Sequence, residues 1–188
     1  MNQELKRKIF HIGSGTVLAV LYYYGLINKT VFAILLALGI IVYFAYKKYK
    51  LPIIHQLVQA MERKDKTKQA GLTSILFLLG CTTTVFIFSK QTATAAILIL
   101  AWGDSISHMV GIKGNIPYIN PKKTWEGIIA GTITGTIAAQ FLVPWLNALA
   151  GAGVSMLIEG LDLEIFGWKI DDNLLIPIIA GIVITILS

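Results

Sequence analysis

The sequence predicts an all-α, polytopic integral membrane bundle of about six or seven transmembrane helices, with one further amphipathic helix on the membrane surface. Three observations carry that expectation. Of the 188 residues, 55% are hydrophobic and only 14% charged, with a mean hydropathy of +0.71; a soluble chain of this length cannot hide so much apolar surface. The apolar residues fall into successive runs close to the roughly 20 residues that cross a hydrocarbon core. Lysine and arginine concentrate in alternate connecting segments, as in a chain that weaves through a bilayer.

The runs are expected as helices near 9–27, 30–46, 71–89, 92–111, 124–146, 148–160 and 174–187. The first lacks the A-x-A site of a cleavable signal and leads straight into the others. The second is followed by LPIIHQLVQAMERKDKTK, in which Ile54, Leu57, Val58 and Met61 recur at helical spacing before a basic cluster. That pattern predicts an amphipathic helix lying on the surface, with His55 as an interfacial side chain. The third run holds Cys81, the single cysteine, which has no partner for a disulfide and reads as a buried structural thiol. The sixth run is short and the seventh marginal in length, so both read as re-entrant or tilted. No composition shift or internal repeat divides the chain, so residues 1–188 read as one membrane-embedded catalytic domain.

Charge sets the expected orientation. With the N-terminus cytoplasmic, the inside segments carry Lys6, Arg7, Lys8, Lys47, Lys48, Lys50, Arg63, Lys64, Lys66, Lys68, Lys113, Lys122, Lys123 and Lys169, leaving only Lys29 and Lys90 outside. The net charge of +6 therefore reports orientation, with membrane lipids rather than nucleic acid as the partner. The acids Asp104, Glu126, Glu159, Asp162, Glu164, Asp171 and Asp172 gather on the same predicted face. The positive-inside rule does not account for acids, so their clustering needs a chemical reason.

Four pieces supply candidates. In AWGDSISHMVG (101–111), Asp104 lies inside an apolar helix and must face protein, a cation or a wet cavity. His108, four residues on, shares its face. The pair reads as a packing hydrogen bond or as a Mg²⁺ ligand with a supporting histidine. In YINPKKTWEG (118–127), Asn120-Pro121 reads as a helix start, whose unpaired N–H groups together with Lys122 and Lys123 suit a phosphate. Glu126 follows one turn along, placed to hold a metal or pair with a lysine. The preceding GIKGNIPYI supplies a glycine-bearing loop for close approach to a ligand. Gly127, Gly131 and Gly135 read as a helix-packing stripe, which also offers a face for a homo-oligomer. In KIDDNLLIP (169–177), Asp172 or Asn173 suffices as a cap, and the second acid suits metal or ribose, with Glu159 able to join. In KRKIFHI (6–12), Arg7 and His11 share a face beside Lys8, as membrane anchors or as ligands of an anion.

Lysines, acids and a histidine converging at one membrane face suit a nucleoside triphosphate with Mg²⁺ acting on a lipid, since phosphoryl transfer chiefly needs charge neutralisation and positioning. Neither a Walker A motif nor a kinase-type glycine-rich loop is present. A transporter is the contrasting class, but it would call for repeated halves and midplane polar groups, and the sequence has neither.

RKIFHI, WGDSISHMVGIKG, NPKKTWEGIIAG and EGLDLEIFGWKIDDNLLIP together resemble, in order and over nearly the whole chain, the polyprenol kinase family, which contains dolichol kinase, phytol kinase and a CTP-dependent diacylglycerol kinase. The resemblance implies a polytopic membrane enzyme that transfers the γ-phosphate of CTP to a lipid alcohol with Mg²⁺, its site on the cytoplasmic side. The family motifs map onto Arg7, Lys8 and His11; Gly103 and Asp104; Lys122, Lys123, Glu126 and Gly127; and Glu159, Asp171, Asp172 and Asn173. On that reading Asp104, with Asp171 or Asp172 and Glu159, holds the metal. Arg7, Lys8, Lys122, Lys123 and Asn173 bind the nucleotide, and Glu126 or His11 takes the hydroxyl proton. NPKKTWEG is also similar to the phosphatidate cytidylyltransferases, where the same cation clamp would serve attack at the α-phosphorus. The ending DDNLLIP and the R-K-x-x-H start favour the kinases.

Overall fold

The computed structural model describes residues 3–49, 71–165 and 168–188. Among them are seven helices: α1 (Gln3–Tyr23), α2 (Lys29–Tyr49), α3 (Leu72–Ile87), α4 (Lys90–Gly111), α5 (Trp125–Ala139), α6 (Trp145–Gly160) and α7 (Asp172–Leu187). A two-residue antiparallel pair, β1 (Glu164–Ile165) and β2 (Trp168–Lys169), joins the last two helices. The expected all-helical class is thus present, with all seven runs helical. The surface helix expected from Ile54 to Met61, with His55, lies outside the described residues.

Among the described residues, two helices are long and apolar enough to cross a membrane, Lys29–Lys48 and Lys90–Gly111. They play opposite parts. α4 is central and packs on α1, α3, α5 and α7. Its small residues (Ala93, Ala95, Ala96, Ala101 and Gly103) are buried and let neighbours approach from every side. α2 packs on α3 and leaves Ile34, Leu38, Ile41 and Phe44 exposed.

The boundaries correct the expectations in three places, each for a local reason. α1 begins by Gln3 rather than near residue 9, so the helix face expected to carry Arg7 and His11 beside Lys8 belongs to the first turns of α1 itself. α5 begins at Trp125, not at Asn120-Pro121. Thr124, in an extended conformation, caps it by accepting the N–H of Gly127 at 3.3 Å, and Asn120 instead closes a turn, its carbonyl accepting the N–H of Lys123 at 2.9 Å. α6 is a full 16-residue helix rather than a short one, because Pro144 sets its entry and the chain turns helical from Trp145.

Residues Ile99–Asp104 of α4 form a π-helical stretch, which no periodicity in the sequence announces. The widened turn ends on Asp104. α5 lies against α4 through its glycines. A Cβ on Gly127 would meet the Ser107 carbonyl at 2.8 Å, and one on Gly131 would meet the Gly103 carbonyl at 2.8 Å. The stripe read from the sequence therefore serves packing within the chain. α3 meets α7 where Pro177 stands in the helix interior: proline has no N–H to give Asn173's carbonyl, and Gly80 brings its backbone against that oxygen. Cys81, one residue on, is a fully buried free thiol, as expected.

Candidate functional site

Charged groups from five parts of the chain meet at one place: the first turns of α1, the π-helical stretch of α4, the loop before α5, the end of α6 and the start of α7. Asp104, Glu159 and Asp172 each direct a carboxylate oxygen there, and these three atoms lie within 4.8 Å of one another. Three carboxylates so close repel unless cations hold them. Two lysines do so. Lys8, only 7% exposed, donates to Asp104 Oδ2 at 2.6 Å. Lys123 forms an ion pair with Glu159 Oε1 and lies 4.0 Å from Asp172 Oδ2.

Glu159 is 2% exposed, and its second oxygen, Oε2, has no hydrogen-bond partner among the described residues. An unsatisfied buried carboxylate oxygen is costly. An all-oxygen set with a spare acceptor of this kind fits a hard divalent cation. His11 completes the group. Its Nε2 is buried 3.8 Å from Asp104 Oδ2 with no hydrogen-bond partner among the described residues, and its ring packs edge-on against Phe77 with centroids 4.8 Å apart.

Several expected site residues take other partners. Asp171, rather than Asp172 or Asn173, caps α7: its Oδ1 accepts the Asn173 N–H at 3.0 Å and the Asn173 side-chain amide at 2.7 Å. Asn173 is buried, and of the two adjacent acids only Asp172 joins the cluster. Lys122 is exposed, and its N–H donates to Asn120 Oδ1 at 3.0 Å, while its neighbour Lys123 turns inward. Arg7 pairs with Glu4 at 2.8 Å. His108 reaches the same Glu4 at 3.4 Å across the α1–α4 contact, so the histidine beside Asp104 comes from α1.

Glu126 stands apart from the other acids, just before the apolar run of α5. Its Oε1 accepts the N–H groups of Asn115 at 2.8 Å and Ile116 at 3.1 Å, and Oε2 accepts the latter at 3.2 Å. The loop these N–H groups belong to is a narrow hairpin. The Tyr118 N–H donates to the Lys123 carbonyl at 2.8 Å and that of Trp125 to the Ile116 carbonyl at 3.0 Å. Gly114, which the sequence marked for close approach to a ligand, instead abuts Thr124 and Glu126; a Cβ there would lie 2.9 Å from Glu126 Oε2. Tyr118 was missed by sequence reasoning. Its ring packs edge-on against Trp125 at 4.8 Å and covers Gly160, next to Glu159. No sequence pattern links Tyr118 to Gly160, because the contact is set by how the hairpin folds onto the end of α6.

Comparison with known proteins gives a consistent group. The chain is similar to phytol kinase of Synechocystis, 31% identical over 192 residues that cover 93% of this chain and 76% of the relative. It is similar to CTP-dependent diacylglycerol kinase 1 of Saccharomyces cerevisiae, 28% identical over 212 residues that cover 95% and 71%. An uncharacterised protein of Methanocaldococcus jannaschii is 29% identical over 188 residues, covering 97% and 93%. No family model and no solved structure matches.

Proposed function

Since the chain belongs to a family of lipid kinases that includes phytol kinase and the CTP-dependent diacylglycerol kinases, we propose that it transfers the γ-phosphate of CTP to the hydroxyl of a polyprenol, isoprenol or diacylglycerol at the cytoplasmic face of a membrane. The observation that carries this reading is the meeting of Asp104, Glu159 and Asp172 with Lys8 and Lys123 at one place. CTP as donor is supported by the name of the yeast relative, and a lipid alcohol by the names of both kinases.

Asp104, Glu159 and Asp172 are the residues that would hold Mg²⁺, which when bound neutralises phosphate charge. Lys123, on the hairpin, and Lys8, on α1, are the cations suited to the phosphate oxygens once released from the carboxylates. His11, a buried imidazole beside Asp104, is placed to take the hydroxyl proton. The lipid oxygen attacks the γ-phosphorus, the bond from that phosphorus to the β–γ bridging oxygen breaks, and CDP leaves.

Membrane embedding is part of the same proposal. α2 is apolar and largely exposed, and Ile129, Ile133 and Ile137 form an exposed apolar stripe along α5. Such surfaces are ones that lipid would cover. The cluster would then lie at the lysine-rich face, within reach of a headgroup hydroxyl.

The test is an incubation of purified protein with Mg²⁺, a panel of lipid alcohols and phosphatidic acid, and CTP labelled at either the α or the γ phosphate. Label entering lipid from the γ position alone is expected, and the accepting alcohol names the substrate. Label from the α position, with pyrophosphate released, overturns the kinase reading in favour of cytidylyl transfer.

A further inference from the structure

The glutamate of the KKTWEG stretch is an acid at the mouth of the site that does not join the other acids. Its carboxylate is filled by N–H donors from the far side of the hairpin that carries Lys123. We infer that Glu126 is a positioning residue, whose carboxylate fastens the 115–125 hairpin so that Lys123 is delivered to Glu159 and Asp172. The phosphate-binding part of this role rests on the kinase reading above; the fastening does not.

The geometry is specific. Glu126 lies in the first turn of α5, and the hairpin immediately precedes that turn. The hairpin has few backbone bonds: the Tyr118 and Trp125 N–H bonds, which together make the Pro117–Thr124 bridge, and the Asn120 turn. Asn115 and Ile116 open it, and their N–H groups converge on a single carboxylate. Charge-assisted bonds of this kind are roughly twice as strong as neutral ones. Gly114 leaves room for the carboxylate to come close. Tyr118 then seats the middle of the hairpin on Gly160, beside the glutamate that Lys123 must reach. With the Glu126 anchor gone, the entry strand of the hairpin is free to swing and Lys123 loses its fixed approach.

The role separates from that of a general base by the chemistry of glutamine. Glu126→Gln keeps one carbonyl oxygen, and Oε1 alone accepts both N–H groups in the structure, but an amide cannot take a proton from substrate. Glu126→Ala removes both functions. Full-length protein in detergent would be compared as wild type, Glu126→Gln and Glu126→Ala by two readouts. One is the rate of tryptic cleavage after Lys113 and Lys122, both exposed on this loop, which tracks opening of the hairpin. The other is the split of kinase activity into KM for CTP and kcat.

Glu126→Ala is expected to cleave faster and to raise KM by about tenfold, the scale of losing hydrogen bonds to a charged group, while Glu126→Gln stays within about threefold of wild type in both. Gly114→Ala is the second variant should Glu126→Ala fail to fold. It crowds the same carboxylate without removing it, and is expected to speed cleavage as well. The inference is overturned if Glu126→Gln loses activity as fully as Glu126→Ala with its loop still protected, or if Glu126→Ala leaves cleavage unchanged. Faster cleavage of Glu126→Ala in a protein whose wild type transfers no phosphate supports the fastening role and removes only the kinase reading.

Discussion

Gly131→Ala tests the close fit of α5 on α4 and, through it, the position of Asp104. A methyl group at residue 131 would lie 2.7 Å from Met156 Sδ, 2.8 Å from the Gly103 carbonyl oxygen and 2.8 Å from Ser107 Cβ. Met156 can move aside, being flexible, but the carbonyl and Ser107 belong to the α4 backbone or sit directly on it. The helices must separate by several tenths of an ångström. Overpacking of this kind costs about 1–3 kcal/mol, against a helix-propensity gain of about 0.5–1 kcal/mol for replacing glycine, so a net loss of about 0–2.5 kcal/mol, centred near 1 kcal/mol, is expected. Two controls bracket it. Gly135→Ala meets Ala152 Cβ at 3.3 Å and should lie near zero, and Gly13→Ala meets nothing within 4 Å and should not destabilise. Thermal unfolding in detergent, followed by the loss of helical circular dichroism, would rank the three. Activity of Gly131→Ala measured well below its transition should also fall, because the contact lies next to the π-helical turn that presents Asp104. Equal transition temperatures for Gly131→Ala and Gly13→Ala would refute the packing argument.

The adjacent charged pairs give sharper tests. Lys123→Ala should lower activity by at least about tenfold, as expected for loss of a charged contact, while Lys122→Ala should stay within about twofold, because exposed charges contribute little; a steady-state assay on the two variants decides it, and equal losses would sink the assignment. Asp172→Asn should weaken binding of Mn²⁺, read by its electron paramagnetic resonance signal. Asp171→Ala should leave that signal intact and lower stability by about 1 kcal/mol through the lost cap. A reversal of the two would return the metal role to Asp171.

Most of the fold was legible because its signals are local. Apolar runs near the span length, broken by polar turns, marked seven helices, and the four-residue glycine period marked the face of α5 that packs. The site was legible to the level of segments but not of side chains. Which of Asp171 and Asp172 caps α7 depends on a one-residue shift in where the helix begins, and both are good caps. Which of Lys122 and Lys123 turns inward depends on the hairpin, where every donor to the Glu126 and Asn120 side chains is a backbone N–H and so leaves no residue-type pattern to pair in the sequence. Asp104 and His108 share a helical spacing, yet the histidine beside Asp104 is His11 from α1, and only packing sets that choice. The π-helical turn is tertiary in the same sense. Its small residues fit many helices, and it is the neighbours on every side of α4 that admit the wider turn.

The lysines on the acidic cluster bear on how such a protein comes to be assembled. Lys8 and Lys123 come from the start of α1 and from the hairpin before α5, while the carboxylates they neutralise come from α4, α6 and α7. Each ammonium is therefore a counter-ion supplied by the chain itself, arriving from a distant part of the sequence. In the folded bundle the acid-bearing helices thus close on charges of the same chain, and a cation from solution entering between them would take the place of ammonium groups already there.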